Sequence, residues 1–417
     1  MELANKTIYQ VFVRNYSPKG DLRSLDADLE RIKDLGIDIL YLMPIHPIGE
    51  NGRKGTYGSP YSVRDYYEIS PDLGNKEDFL RLIDHAHELG LQVIMDMVFN
   101  HTARDSVLLD EHPEFYYREN GQIGNRVGDW SDVCDLETGR EDVQDYLVDV
   151  LAYWRGLGID GFRFDVASLI PLSLFEKARK RLGNDIFFLS ESIDPDFARY
   201  VATLGLHNTD DKNLYPTFDA TYNYNWFRDL ERYLRGEMPL FGVKQDLMDQ
   251  VASLPGRIKI SALENHDTHR IASYFDKGDQ RLWNLIAFSF VFPGMPFVYA
   301  GEEYLISKDV PLFEKDPIDK NMGDMHAFSF FKKLIALKKN PLFSAMESIR
   351  FIESDPDGFS FAFSSLGKHY YFHCPMQGTL PSCFLGEAVD LISGERVMLN
   401  EPSDRCYLVC LEKENRL

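Results

Sequence analysis

Apolar side chains recur along this chain with two different spacings. In three segments they lie three and four residues apart, which places them on one face of a helix. These segments contain Leu25, Leu29, Ile32 and Leu35; Phe79, Leu82, Ile83, Ala86 and Leu89; and Tyr146, Leu147, Val150, Leu151 and Trp154. Each is followed by a Leu-Gly step and then by a largely apolar run, as in strands of a parallel sheet covered by helices.

The Leu-Gly step occurs at Gly36, Gly90, Gly158 and Gly183. A glycine just past a helix adopts the left-handed conformation that ends it, so each step predicts a helix-to-strand junction. Thr138 and Glu141 have the spacing of a capping box and predict the start of the third helix. Repeated units of this kind predict alternating β and α elements.

Eight strands are predicted on this basis. They are Ile8–Val13, Ile37–Leu42, Val93–Phe99, Gly161–Asp165, Ile186–Ser190, Phe218–Tyr222, Lys259–Leu263 and Pro296–Tyr299. Eight is the strand count of a (β/α)8 barrel, and 417 residues suffice for one barrel with additions. A doubly wound open sheet is the alternative, but the glycine-rich phosphate loops that such sheets normally carry are absent from the sequence.

Two regions depart from the repeating pattern. After the third strand the chain becomes polar, aromatic and poorly periodic, and near its end short alternating runs separated by turn residues indicate antiparallel strands. We therefore expect a catalytic barrel from 1–100 and 142–342, a short excursion domain at 101–141, and a C-terminal β-sandwich-like domain at 343–417.

Composition narrows the function classes. A net charge of −21 argues against nucleic acid or an anionic membrane as a partner. The five cysteines are odd in number and lack CxxC spacing, so a disulfide framework or zinc site is not expected. No signal peptide or long apolar span is recognisable, and a complete chain of this kind is expected in the cytoplasm.

Polar side chains collect at the carboxyl ends of the predicted strands, where the active sites of such barrels lie. Three of them are carboxylates on different strands, Asp165, Glu191 and Asp267. In one pocket they would repel each other and be costly to desolvate, so their convergence predicts chemistry. Asp96 and Arg163 allow a plainer interpretation, as a structural ion pair inside the barrel.

Two chemistries use such a cluster: glycoside hydrolysis by a carboxylate pair and metal-assisted hydrolysis. The metal alternative calls for closely spaced ligands such as HxH or HExxH, and no HExxH run occurs. The chain has 22 tyrosines and 29 phenylalanines, which favours sugar, because aromatic rings pack against the apolar faces of sugars. Many of these rings also belong to the core.

At these residues the sequence resembles the α-amylase family, glycoside hydrolase family thirteen. DMVFNH (96–101), GFRFDVAS (161–168), SES (190–192) and ENHD (264–267) are similar to its first four motifs and occur in the family's order. GSPYSVRDYY (58–67) and GMPFVYAGEE (294–303) resemble further family segments.

The resemblance implies a role for each matched residue. Asp165 is the implied nucleophile, Glu191 the general acid/base and Asp267 the transition-state stabiliser. The implied substrate-binding set comprises Tyr61 stacking on the sugar, His101 and His266 binding its hydroxyls, Arg163 holding Asp165 ionised, Asp96 supporting the site from below, and Arg270. The implied mechanism is retaining and needs the two catalytic carboxyls about 5–5.5 Å apart.

The sequence departs from the family pattern at two positions, and each departure leads to an expectation. Many members bind calcium through the asparagine matched by Asn100 and a histidine at the position of Leu169, so no structural calcium or other cofactor is expected here. Exo-acting α-glucosidases often have an aspartate at the position of Gly58, so a more open cleft is expected.

The expected activity is hydrolysis of α-1,4 bonds in maltooligosaccharides or starch fragments. An α-glucosidase or a 4-α-glucanotransferase on the same scaffold is the alternative. A non-catalytic binding subunit is a remote one, since all three carboxylates are present.

Overall fold

The computed structural model describes residues 3–206, 208–253, 256–353, 355 and 357–412. Eight parallel strands form one sheet, and we label them β1 to β8 in chain order. They are Ile8–Val11, Ile39–Leu42, Gln92–Met97, Gly161–Phe164, Phe187–Ser190, Ala220–Thr221, Ile260–Ser261 and Met295–Tyr299. The sequence prediction of eight strands is confirmed, although most are shorter than predicted.

The sheet closes into a barrel. Its order is β6-β5-β4-β3-β2-β1-β8-β7, so each strand pairs with its neighbours in the sequence and β1 pairs with β8. A parallel bridge between Thr221 and Lys259 joins the two edges, where the Thr221 N–H donates to the Ile258 carbonyl at 3.1 Å. The (β/α)8 prediction is therefore confirmed, and the open-sheet alternative is wrong.

Helices cover the outside of the barrel. The α-helices span Val13–Tyr16, Leu22–Asp26, Leu29–Leu35, Lys76–Glu88, Val107–Glu111, Glu141–Gly156, Leu172–Leu182, Pro195–Thr203, Asp211–Leu214, Tyr224–Leu234, Leu240–Ser253, Gln280–Val291 and Met325–Lys338. The Phe164 ring of β4 packs against Phe175 of helix Leu172–Leu182, with centroids 5.1 Å apart. The phenylalanines of β4 thus face the helix layer and Arg163 faces the barrel interior.

One predicted helix start is wrong. Helix Glu141–Gly156 has Arg140 at its N-cap, with no side-chain capping bond. The Thr138 carbonyl instead accepts a hydrogen bond from the Gln144 side chain at 2.8 Å. Tertiary packing of the segment before the helix displaces the capping box that the spacing suggested.

The segment after β3 carries two small antiparallel sheets, His101–Ala103 with Val133–Asp135 and Arg118–Glu119 with Gln122–Ile123. The predicted domain limits at residues 101, 141 and 343 stay a prediction. The outermost residues of the predicted domains, 1–2 and 413–417, lie outside the described part of the chain.

Near the chain's end lies a four-stranded antiparallel sheet, as predicted. Its strands, in spatial order, are Met346–Phe351, Phe361–Ser365, Lys368–His373 and Tyr407–Leu411, and a hairpin joins Glu387–Val389 to Arg396–Met398. Among the described residues, no helix combines the length and apolar character that a membrane span requires.

Candidate active site

The floor of the site is an ion pair between adjacent strands. Asp96 of β3 and Arg163 of β4 are partners in the parallel register, so their side chains lie side by side in the barrel. Arg163 Nη1 donates to both oxygens of Asp96, at 2.7 and 3.0 Å, and both side chains are fully buried. The Tyr41 hydroxyl also donates to Asp96, at 2.6 Å. These bonds fix the orientation of the guanidinium.

Asp165 and Glu191 lie one residue beyond β4 and β5, where the barrel's hydrogen-bond ladder continues. The Asp165 N–H donates to the Met97 carbonyl at 3.0 Å, and the Glu191 N–H donates to the Phe164 carbonyl at 3.1 Å. Arg163 contacts both carboxylates, through Nη1 to Asp165 Oδ1 at 3.0 Å and through Nη2 to Glu191 Oε1 at 2.8 Å. One guanidinium therefore holds the two carboxyls beside each other.

The residue after Asp165 is strained. Val166 has a φ of 38°, in the left-handed region that β-branched side chains rarely enter. In this conformation its N–H donates to Glu191 Oε2 at 2.6 Å. The strained turn thus orients the Glu191 carboxyl, with Oε2 on the Val166 N–H and Oε1 toward Arg163 Nη2.

The charges of the site are coupled. Burial and the Glu191 carboxylate raise the pKa of Asp165 well above its ordinary value, and Arg163 acts in the opposite direction. One guanidinium cannot balance Asp96, Asp165 and Glu191 together, so the cluster tends to retain a proton. A retaining mechanism needs one ionised and one protonated carboxyl, and this charge balance suits it.

Asp267 follows β7 and reaches the same site from the opposite side. The Tyr224 hydroxyl lies between the two carboxyls, 2.8 Å from Glu191 Oε1 and 2.9 Å from Asp267 Oδ2. His266 Nε2 lies 3.1 Å from Asp267 Oδ2. Asp165, Glu191 and Asp267 therefore converge at one end of the barrel.

A chain of hydrogen bonds fixes the His266 ring. Gln10 Nε2 lies 2.9 Å from Nδ1, and the Tyr61 hydroxyl lies 2.6 Å from Nε2. Tyr61 in turn donates to Asp96 at 3.0 Å. Burial lowers the pKa of His266 to about 4, so the ring is neutral at neutral pH, and its Nε2–H faces the Tyr61 hydroxyl oxygen.

These side chains line a cavity of about 400 Å³. Tyr61, His101, His266 and the three carboxylates all contribute to its wall, as the sequence predicted for a common site. Burial lowers the pKa of His101 to about 4, and its ring packs against Trp130 with centroids 5.2 Å apart. The cavity therefore combines carboxylates, neutral imidazoles and aromatic faces.

Three residues of the predicted binding set do not line the cavity. Asp96 and Arg163 lie beneath it and act through Asp165 and Glu191. Arg270 is buried elsewhere, where it donates to Glu264 Oε1 at 2.5 Å and to the Ala300 carbonyl at 2.8 Å. The substrate contact that the resemblance implied for Arg270 is not supported by its position.

The sequence contains one HxH spacing, His85 and His87, which the metal alternative would use. Both lie on helix Lys76–Glu88, outside the cavity, beside Asp26 and Asp160 respectively. Among the residues with a described placement, no three histidine, cysteine or acidic side chains are grouped so that they could hold a metal ion.

Several site residues were missed by sequence reasoning. Tyr224 follows β6, and the run TYNYN there was a usable signal, because the ends of all eight strands open on the same rim. Trp130 lies in the excursion and Phe197 in helix Pro195–Thr203; both line the cavity. No local pattern distinguishes these two rings from core aromatics.

An arginine side chain lies in the region where many α-amylase family members bind calcium. Asn100 and Leu169 line a second cavity together with Arg126, Asp135 and Glu137. Arg126 Nη2 lies 2.8 Å from Glu137, and the Arg126 N–H donates to Asp135 Oδ2 at 2.8 Å. Leu169 offers no side-chain ligand, the Arg126 guanidinium already pairs with both acids, and burial raises the pKa of Asp135 to about 6, so these residues do not fit a calcium ion.

Comparison with known proteins agrees with this geometry. The sequence model of the family described as alpha amylase, catalytic domain, matches residues 5–122 and 126–333. The chain is similar to an alpha-amylase from Lactobacillus plantarum of known structure, with 37% identity, a TM-score of 0.92, and coverage of 98% of this chain and 99% of that one.

Two further relatives are maltogenic amylases. One, from Thermotoga neapolitana and of known structure, is 32% identical, with a TM-score of 0.85 and coverage of 99% of this chain and 100% of that one. The other, an intracellular maltogenic amylase of Bacillus subtilis, is 26% identical over 350 residues, which cover 77% of this chain and 55% of the relative. The chain thus spans little more than half the length of that curated relative.

Proposed function

The chain belongs to the alpha-amylase family of glycosidases, and from this membership we propose that it cleaves α-1,4-glucosidic bonds of maltooligosaccharides with retention of configuration. The main observation behind the proposal is that Arg163 contacts both Asp165 and Glu191 beneath the cavity. It places a carboxylate pair side by side, which double displacement requires.

In the first step Asp165 is the nucleophile. Its carboxylate oxygen bonds to the anomeric carbon as the glycosidic C–O bond breaks, and the proton of Glu191 passes to the departing oxygen. Arg163 opposes the rise in the pKa of Asp165, which favours the ionised form, and it aims the carboxylate, since Nη1 holds Oδ1 at 3.0 Å. Asp267, with 39% of its side chain exposed to the cavity, stabilises the oxocarbenium-like transition state from the opposite side.

In the second step Glu191 acts as a base. It takes a proton from water, whose oxygen bonds to the anomeric carbon as the bond to Asp165 breaks. The products are a free reducing end, an ionised Asp165 and a protonated Glu191, so the site returns to its starting state. His101 and His266, neutral and facing the cavity, are placed to bind hydroxyls of the bound sugar.

Aromatic rings support an oligosaccharide as the substrate. Trp130 packs on Phe197 with centroids 5.8 Å apart, and Phe197 on Tyr200 at 6.2 Å, so a row of rings leads from the cavity to the surface. Gly58 has a φ of 75°, and a Cβ there would lie 2.8 Å from Ile48, so this position does not hold the blocking aspartate of exo-acting enzymes. The relatives named maltogenic amylases are consistent with this substrate class.

We place this activity in the cytoplasm, as the name of the intracellular relative suggests. The partner is an α-glucan oligosaccharide, and a net charge of −21 does not suit nucleic acid or an anionic membrane.

A covalent label tests the mechanism. A mechanism-based fluorosugar should form an adduct on Asp165, and Asp165→Asn should lose nearly all activity on maltotriose. Asp160→Asn is the matched control, since Asp160 lies at the other end of β4 beside His87 and should leave activity intact. An adduct on another residue would overturn the assignment. With maltoheptaose, glucose released alone would indicate an α-glucosidase, and products longer than the substrate would indicate transfer.

A further inference from the structure

Tyr224 holds its hydroxyl between two carboxyls. Oη lies 2.8 Å from Glu191 Oε1 and 2.9 Å from Asp267 Oδ2. A phenol has one proton and donates it to one partner, and its oxygen then needs a donor from the other. An ionised carboxylate has no proton to donate. One of the two carboxyls is therefore protonated whenever both contacts are made.

The hydroxyl itself is held in place and keeps its proton. The Tyr224 ring stacks on Tyr222, with centroids 5.8 Å apart and planes 19° apart, and packs edge-on against Phe227 at 5.6 Å. Burial and the neighbouring carboxylates of Asp267 and Glu191 raise the pKa of Tyr224 well above its ordinary value. A neutral phenol in a fixed position thus separates the two acids.

The surroundings decide which acid holds the proton. Asp267 is 39% exposed and has His266 Nε2 at 3.1 Å, whereas Glu191 is 8% exposed. An ionised carboxylate is stabilised by solvent and by donors, so the charge belongs on Asp267. Val166 donates to Oε2 of Glu191, which leaves Oε1 as the oxygen that carries the proton toward Tyr224.

Charge in the buried cluster points the same way. Arg163 faces three carboxylates, since Nη1 bonds Asp96 and Asp165 and Nη2 lies 2.8 Å from Glu191 Oε1. One positive charge cannot balance three negative ones, so a proton in the cluster is favoured. Of the two acids on Tyr224, only Glu191 belongs to this cluster, and a proton there relieves its excess negative charge.

We propose that Tyr224 is a positioning residue that keeps the catalytic proton on Glu191 Oε1, by accepting a hydrogen bond from it while donating one to Asp267. This inference rests on the proposed function, in which Glu191 is the general acid. When water returns a proton to Glu191 in the second step, the same arrangement is restored.

Tyr224→Phe tests the proposal, because it removes the hydroxyl and keeps the ring. The protonated form of Glu191 loses its acceptor, so the alkaline limb of the pH profile of kcat/KM on maltotriose should move to lower pH. At neutral pH kcat/KM should fall roughly tenfold on maltotriose and less than about twofold on α-maltosyl fluoride, whose leaving group needs little acid. An unmoved limb, or a limb moved to higher pH, would overturn the proposal.

Tyr222→Phe is the matched control. Its hydroxyl is buried and, among the described residues, bonds to neither Glu191 nor Asp267, and its ring stacks on Tyr224. The same chemical change at this neighbour should leave the alkaline limb where it is. If the limb moves equally in both variants, loss of packing or polarity is the cause and the proposal fails.

Infrared spectroscopy locates the proton without turnover. The difference between wild type and Glu191→Gln at neutral pH should contain the C=O stretch of a protonated carboxyl, and the same difference in a Tyr224→Phe background should lack it. Absence of the band in the wild type would sink the inference. A wild type that does not cleave maltooligosaccharides would sink the proposed function instead, and the infrared result would still decide where the proton lies.

Discussion

A single guanidinium sets the charge of this active site. Arg163 contacts Asp96, Asp165 and Glu191 from within the barrel, and it is fully buried. A buried ion pair adds little net stability, because desolvation offsets the attraction. The value of the arrangement is chemical, since it fixes two carboxyls beside each other and partly balances their charge.

A substitution at Arg270 tests whether its buried ion pair with Glu264 stabilises the fold and plays no part in substrate binding. Arg270→Lys removes the two-point contact with Glu264 and the Ala300 carbonyl, which lysine cannot reproduce. We expect a loss of about 2 kcal/mol in the free energy of unfolding, with KM for maltotriose unchanged. Arg396→Lys, at the exposed pair with Glu387, is the control and should change neither quantity. A large rise in KM without loss of stability would restore the substrate contact implied for Arg270.

The burial of His46 makes the free energy of unfolding depend on pH. His46 is buried against Trp154, and burial lowers its pKa to about 4. An unfolded histidine titrates near ~6.5, so below that pH the unfolded chain binds a proton that the folded chain does not. The contribution of His46 to stability is therefore lost as pH falls from about 6.5 toward 4, by up to about 1.4 kcal/mol per pH unit.

His46→Gln should remove this slope. In thermal unfolding, the difference in stability between wild type and variant should shrink as pH falls from 7 to 5. Exposed His326→Gln should leave the wild-type slope unchanged. A constant difference across this range would show that His46 does not titrate in this interval.

At the scale of elements, the barrel strands deliver side chains to one rim and the loops decide what those side chains meet. The excursion after β3 contributes His101 and Trp130 to the cavity wall, and β6 contributes Tyr224 through the helix that follows it. Within the excursion, the Arg126 guanidinium contacts the carboxylates of Asp135 and Glu137.

Arg126→Ala should therefore lower the stability of the excursion. Removal of the guanidinium leaves two carboxylates without their cation, and we expect a loss of about 2 kcal/mol in stability. We further expect calcium to raise the Tm of this variant, because the two acids are then free to bind a divalent cation. The Tm of the wild type should respond to neither calcium nor chelator.

Arg118→Ala is the control in the same excursion, since Arg118 is exposed and bonds backbone carbonyls. It should have a near wild-type Tm and no calcium response. If chelator lowered the Tm of the wild type, Arg126 would not be the cation of this region.

At the scale of the whole molecule, the C-terminal sheet is packed directly onto a barrel helix. Phe288 of helix Gln280–Val291 stacks on Phe359 with centroids 4.5 Å apart, and the Asn284 side chain donates to the carbonyls of Pro375 and Asp404. These contacts belong to one continuous apolar core. The sheet thus packs on helix Gln280–Val291 of the barrel.

Phe288→Ala should lower stability by about 3 kcal/mol and the Tm by several degrees, while unfolding stays a single transition. The value of kcat on maltotriose at 25 °C should stay within about twofold of wild type, because Phe288 does not line the cavity. Phe241→Ala, at a ring that is 70% exposed, is the control and should have almost no effect. Two separate transitions would show that sheet and barrel unfold independently.

The sequence by itself determined the barrel and the set of acids. Periodic apolar positions, the Leu-Gly steps and the alternation of Phe162, Arg163, Phe164 and Asp165 are local patterns, and local backbone geometry turns them into strands with defined faces. Because parallel strands of a barrel end on one rim, the order of the motifs sufficed to bring Asp165, Glu191 and Asp267 to one place.

Only the tertiary structure decided which partner each polar side chain meets. Tyr224 touches two carboxyls, Arg270 turns away to Glu264, and Arg126 pairs with the excursion's acids. These contacts depend on loop paths and side-chain rotamers set by long-range packing, which no periodicity encodes. The chain's sequence specifies the reacting groups, and its packing specifies where their charges and protons lie.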